Sequence, residues 1–218
     1  MKIVIIGLGL IGGSIAKGLS ASKEFEVLGF DIDQRSIKNA KDNSSIDGSI
    51  NAIEDLRNIE YEDSLIIISA PPSETVEILQ SLDFLFNSSI TITDTTSTKS
   101  SLNETLQGLN FPTNIVFSHP VAGSHLSGEQ NSVASLFEGK STILSYHPSA
   151  TSKHVNRVKD LWQSLGSKVT VLDAELHDQI FAYTSHLPHV VAYALLNTLK
   201  ELDQDNLRLF SGGGLGEF

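Results

Sequence analysis

The sequence predicts an α/β protein: a doubly wound parallel sheet, followed by a second domain that is all helical and incomplete. Three observations carry that expectation. Runs rich in Ile and Val recur as far as Leu172, most of them alternate with stretches of helical spacing, and beyond Leu172 the strand signal stops while helical character continues to Leu202. Strands that are apolar on both faces and alternate with helices are covered on both sides, and right-handed crossovers wind such a sheet in both directions. The expected division is residues 1–172 for the sheet domain and 173–218 for the start of the helical one.

The first strand, Lys2–Ile6, runs into "GLGLIG", with Gly7, Gly9 and Gly12 framing Leu10 and Ile11, and then into a helix over Gly12–Ser20. Strand, glycine turn and helix in that order form the Rossmann-type dinucleotide fingerprint. Gly7 permits the tight turn, Gly9 lets backbone approach a pyrophosphate, and Gly12 allows close helix–strand packing. The second strand, Glu26–Phe30, ends at Asp31, about 20 residues beyond the glycines, where a carboxylate can accept bonds from ribose hydroxyls. The same charge repels a 2′-phosphate, so NAD is expected over NADP. Arg35 nearby would soften the preference, and a simple helix-capping role for Asp31 is the alternative. A third strand, Ser64–Ala70, meets Pro71-Pro72 and a helix over Ser73–Leu82, with Ser73 as its expected N-cap and Pro71 on the cofactor edge.

Strands are then expected at Ser89–Thr93, Asn114–Ser118, Ser141–Ser145 and Lys168–Leu172, with helices at Ser100–Leu109 and Thr151–Leu165. The helical stretch from Ala174 is interrupted only by "SHLPH", where Pro188 should kink or break it.

Composition narrows the function. With 26 acidic against 15 basic residues, a formal charge of −11 argues against a nucleic-acid partner. The absence of cysteine excludes disulfides and thiolate chemistry and fits a cytoplasmic protein. The glycines that interrupt the apolar opening argue against a signal peptide, and no apolar run approaches a membrane span.

Three polar clusters follow strands or lie in the helical segment: "TDTTSTKS" with Asp94, Ser97 and Lys99; "SHPVAGSHLSG" with His119, Ser124 and His125; and "ELHDQIFAYTSHLPH" with His177, Asp178, His186 and His189. Each has a bland alternative. Ser97 would cap a helix, His119 would be a satisfied strand-end group, and His186 with His189 would be a metal pair, although no third ligand stands with them and no metal is expected. His147 and His154, read as lying in a polar loop and on a surface-like helix, receive no role.

Taken in order, GxGLIGGS, DTTSxK, SHPVAGSxxSG, HD and SHLPH resemble the prephenate/arogenate dehydrogenase family of tyrosine biosynthesis, from Met1 to Phe218. The resemblance implies oxidative decarboxylation of prephenate to 4-hydroxyphenylpyruvate, or of arogenate to tyrosine, with hydride transfer to NAD, in a homodimer. It implies that His119 accepts the substrate hydroxyl proton and that Ser97 holds hydroxyl and imidazole in register. Ser124, His186 and His189 would line the substrate cleft. Two departures stand out. "GGGLGEF" lacks the family's basic residue and the arginine that binds the substrate carboxylate, leaving Lys99 or Arg208 as substitutes, and His125 replaces a common acidic residue. The alternatives are a β-hydroxyacid-type dehydrogenase, for which Lys200 is the lysine available, and an NAD-binding protein without turnover.

Overall fold

The structure, a computed structural model, describes residues 1–22, 24–57, 63–123 and 128–200. The chain divides into two compact units, Met1–Glu175 and Leu176–Phe218.

In the first unit, β1 (Lys2–Ile6), β2 (Glu26–Phe30), β3 (Gly48–Ser49), β4 (Leu65–Ile68) and β5 (Thr91–Asp94) form a parallel five-stranded sheet in the order β3-β2-β1-β4-β5. The alternation of side chains along a strand sorts its residues between two cores. Ile3 and Ile5 of β1 and Leu65 and Ile67 of β4 face one core, with α1 (Leu10–Ser20), α2 (Gln34–Asp42) and α5 (Ser152–Ser164) supplying Ile15, Ile37 and Trp162. Val4, Ile6, Ile66 and Ile68 face the other, where α3 (Pro72–Ser81) and α4 (Ser100–Gly108) supply Leu79, Leu102 and Leu106. β1 and β4 are neighbours, paired as far as Ile6 and Ile68, and the connections that leave their C-terminal ends run in opposite directions. Open α/β sheets place their ligands at such a switch point.

The sheet departs from the all-parallel expectation beyond β5. The expected strand Asn114–Ser118 is divided: Ile115 bridges parallel to Ile92, and β6 (Phe117–Pro120) pairs antiparallel with β7 (Ser141–Ser145), His119 opposite Ile143. Parallel pairing resumes between β7 and β8 (Lys168–Val171). The sequence does not encode strand direction in a short apolar run, and only the long loop after Pro120 hints at the reversal. The short β3 escaped the sequence reading, and the strongly polar α2 entered it only as a helix without bounds after Asp31.

Ser73 is not the cap of α3. The helix already begins at Pro72 with Pro71 at the N-cap, and the Ser73 hydroxyl bonds the Glu74 carboxylate at 2.6 Å. A proline in the first turn loses nothing, since its missing N–H would have had no intrahelical partner.

The second unit takes in α6 (Ala174–Phe181) from Leu176 onward, one π turn, Ala182–His186, and α7 (Leu187–Leu199). The expected break thus falls just before Pro188, which sits in the first turn of α7. A widened turn accommodates the proline ring and the carbonyl its missing N–H leaves unbonded.

His154 is not on a surface-like face. It is 4% exposed, and its Nδ1 lies 2.7 Å from Thr91 Oγ1 of β5. Burial pushes its pKa down, the Arg157 and Lys153 charges add to this, and Asp63 opposes it. The imidazole is therefore neutral when folded but takes a proton when unfolded below about pH 6.5. Stability is full above that pH and falls as the pH drops towards the lowered folded value, by at most about 1.4 kcal/mol per pH unit for one proton. Melting temperatures between pH 7.5 and 5 are expected to decline more steeply for the parent than for His154→Gln.

Candidate active site

The glycine loop lies at the switch point. Gly7 has φ +94°, and a Cβ there would come 2.2 Å from the Ser69 carbonyl oxygen beyond β4. At Gly12 a Cβ would fall 1.9 Å from the Gly7 carbonyl oxygen, so the loop and the first turn of α1 are in direct backbone contact. Gly9, the N-cap of α1, is different: a Cβ there meets nothing within 4 Å. No side chain caps α1 and its first turn carries no acidic residue, so the Leu10 and Ile11 end of the helix presents its amides and positive dipole end without a competing anion.

Asp31 is half-buried and closes this loop. Its Oδ2 accepts the Leu8 N–H at 2.6 Å and its Oδ1 the Asp33 N–H at 2.8 Å. It does not cap α2. Asp33 does so, accepting the Arg35 N–H at 3.0 Å. Arg35 also donates Nε to Asp33 at 3.2 Å, and this contact holds the Asp33 carboxyl below its ordinary range. The guanidinium is thus engaged with Asp33. Together, the open Gly9, the uncapped helix and the Asp31 carboxylate form a cradle that fits a dinucleotide's pyrophosphate and ribose.

The second part of the site grows from β5 and β6. Thr95 Oγ1 donates to Ser69 Oγ at 3.2 Å and Thr95 N–H to the Ile68 carbonyl at 3.1 Å, so the loop after β5 leans on the loop that touches Gly7. Ser97 is exposed on that loop; α4 starts after Lys99, which holds its N-cap position, and no side chain caps the helix. Lys99 is fully buried and lies 2.6 Å from Asp94 Oδ2, itself 2% exposed. It is therefore committed to Asp94 and does not stand in for a substrate-binding arginine. Breaking such a buried pair typically costs about 3–5 kcal/mol.

His119 is 8% exposed near the end of β6. The preceding Ser118 is held by Thr93 Oγ1 at 2.7 Å and by Trp162 Nε1, which donates at 2.9 Å. Farther along, Glu129 is buried and accepts from Asn43 Nδ2 at 2.8 Å and pairs with Lys17 at 3.2 Å, joining the segment after the His119 loop to α1 and α2. The sequence reading missed Trp162, Ser118 and Glu129. The single tryptophan among apolar helix neighbours was the one available signal.

Ser124 and His125 lie outside the described residues, as do Arg208 and "GGGLGEF". His186 and His189 belong to the second unit: His186 is half-buried in the π turn and His189 exposed in the first turn of α7. In the same unit His177 is buried, with Nδ1 2.7 Å from Asp178 Oδ1. Among the described residues there is no group of three His, Cys, Asp or Glu side chains that could hold a metal ion, and no helix long and apolar enough to cross a membrane.

Fold and site together define a Rossmann-type dinucleotide-binding protein with a polar centre beside the cofactor edge. Comparison with known proteins narrows the class. The family model described as prephenate dehydrogenase, nucleotide-binding domain, matches residues 15–171, and the one described as prephenate dehydrogenase, dimerization domain, matches residues 173–218. The chain belongs to the prephenate dehydrogenase family. It is 36% identical to the prephenate dehydrogenase of Lactococcus lactis over 89% of its own length, and that match covers 53% of the relative. Among solved structures it is similar to prephenate dehydrogenase from A. aeolicus in complex with hydroxyphenyl propionate and NAD+, at TM-score 0.88 and 32% identity, covering 100% of this chain and 76% of that one. Synechocystis arogenate dehydrogenase is similar at TM-score 0.81 and 25% identity, over 98% of this chain and 76% of that one.

Proposed function

We propose that this protein is an NAD-dependent dehydrogenase that oxidatively decarboxylates prephenate or arogenate, as a cytoplasmic homodimer. One observation supports the chemistry most directly. Short contacts run from Gly7 to Ser69 and from Ser69 to Thr95, and then through Thr96 and Lys99 to Ser118, the residue before His119. The dinucleotide cradle and the histidine thus belong to one rigid edge of one unit.

Bound in that cradle, NAD supplies the hydride acceptor. The chain's own residues do the rest. The Leu10–Ile11 helix end and Gly9 hold the pyrophosphate, Asp31 takes the ribose hydroxyls, and Pro71 borders the cleft. At the carbon bearing the substrate hydroxyl, loss of hydride leaves positive charge unless the O–H proton moves. A His119 imidazole nitrogen accepts that proton, and Ser97 orients the hydroxyl. The electron pair of the breaking C–CO2 bond enters the ring, which becomes aromatic as carbon dioxide leaves, and the ring oxygen takes back a proton. Ser124, His186 and His189 are assigned to the substrate.

Asp31 provides the test of cofactor choice. Loss of a hydrogen bond to a charged group removes about 1.5–3 kcal/mol, or about 10- to 100-fold in affinity. Asp31→Asn, which keeps an acceptor for the Leu8 amide, is expected to weaken NAD and to reduce discrimination against NADP in a fluorescence titration. An unchanged NAD/NADP ratio contradicts the role of Asp31.

A further inference from the structure

The chemistry above makes no use of the buried Asp94–Lys99 pair. We propose that this pair is the positioning unit of the catalytic centre: it fixes the segment carrying Ser97 and the strand end carrying His119 relative to each other. The proposal rests on the assignment of those two residues under the proposed function.

The geometry is specific. Asp94 Oδ1 accepts the Ser118 N–H at 3.0 Å, and Lys99 Nζ donates to the Ser118 carbonyl at 2.7 Å. That carbonyl belongs to the peptide joining Ser118 to His119. The same ammonium donates to the Thr96 carbonyl at 2.9 Å, the peptide joining Thr96 to Ser97. One nitrogen therefore holds the two peptide groups that immediately precede the proposed catalytic residues. Asp94 completes the loop, accepting the Thr96 N–H at 2.8 Å and the Thr96 hydroxyl at 2.5 Å, while that hydroxyl also lies 2.9 Å from the Thr98 carbonyl.

Stability alone does not account for such a device. Well-packed apolar side chains in place of a buried ion pair are often as stable or more so, because both ions must be desolvated. Apolar packing cannot supply what this pair supplies, namely directional bonds to backbone groups on two separate segments. Ser118 is also gripped through its side chain by Thr93 and Trp162, so little freedom remains in the backbone leading into His119. Pre-organised placement is itself catalytic, since a misplacement of about 1 Å can cost about 100-fold.

The test uses the full natural chain that carries this sequence and compares the parent with Lys99→Arg, Lys99→Met and Thr96→Val. Arginine keeps the charge but offers at most two coplanar N–H groups on one nitrogen in place of the three of an ammonium, and Thr96→Val leaves both partners of the ion pair in place, so it is the variant best suited to remain folded. Among variants that melt cooperatively, kcat is expected to fall by about 100-fold for the lysine substitutions and about 10-fold for Thr96→Val, with the KM for NAD unchanged. In a His119→Ala background the same substitutions should cost almost nothing more, because residues acting through one another are not additive. A folded Lys99→Arg or Thr96→Val protein with parental kcat overturns the proposal, as does a full additional loss in the His119→Ala background. A parent that turns over neither substrate instead fails the functional reading. The clamp is then judged by the NMR resonances of the His119 ring, which the variants are expected to shift and broaden; unchanged resonances overturn it.

Discussion

His119→Ala is expected to lower kcat by about 10²- to 10⁴-fold, the usual contribution of a positioned acid–base group, while NAD affinity stays close to that of the parent. The separation follows from where the residue sits. His119 stands near the end of β6, whereas the dinucleotide cradle is built from the loop after β1 and from Asp31 beyond β2. The contacts that close the cradle are made by Asp31 to the Leu8 amide and by the Gly7 and Ser69 backbones. His119→Asn retains a hydrogen-bonding side chain without a usable base and should be nearly as slow. Steady-state kinetics with a calorimetric NAD titration on the same protein checks both halves. A parental kcat in His119→Ala would remove the histidine from the mechanism, and a large loss of NAD affinity would mean that the residue supports the cofactor site.

Gly12→Ala is expected to damage fold and cofactor site together. The added Cβ would lie 1.9 Å from the Gly7 carbonyl oxygen and 3.0 Å from its carbon, both backbone atoms that no rotamer change can move. Helix α1 must shift away from the glycine loop. Overpacking of this kind costs typically about 1–3 kcal/mol, and a misfit of that size carried by the bound geometry weakens NAD about 5- to 150-fold. Gly9→Ala separates the two effects. Its Cβ meets nothing within 4 Å in the chain, so the melting temperature should hold while the methyl group obstructs the approach of a pyrophosphate. Thermal melting and NAD titration of both variants decide the matter. Equal melting temperatures for Gly12→Ala and the parent would contradict the close packing, and parental NAD affinity in Gly9→Ala would contradict the open cradle.

The legibility of the sequence varied with the physics of each feature. The glycine loop was readable because three requirements of a tight turn fall at fixed offsets, and β1 and β4 because side chains buried on both faces demand continuous apolar runs. Helix α5 was readable in extent but not in burial. His154 looks like a surface residue until Thr91 is seen to satisfy it. The reversal at β6 was not readable, since pairing direction is decided by which neighbour a strand meets after a long loop. Asp94, Ser97 and Lys99 were recognisable as one polar cluster, yet their division of labour was not. Lys99 reads as a substitute for the missing carboxylate-binding arginine, and only its complete burial against Asp94 and two carbonyls assigns it to the scaffold.

NADH formation by the full natural chain carrying this sequence, with NAD and either prephenate or arogenate and with carbon dioxide release followed alongside, decides whether the chain performs this reaction. The expected result is NADH and carbon dioxide in equal amounts with at least one of the two substrates, and loss of both in His119→Ala. NAD bound in the cradle with no NADH formed from either substrate would contradict it.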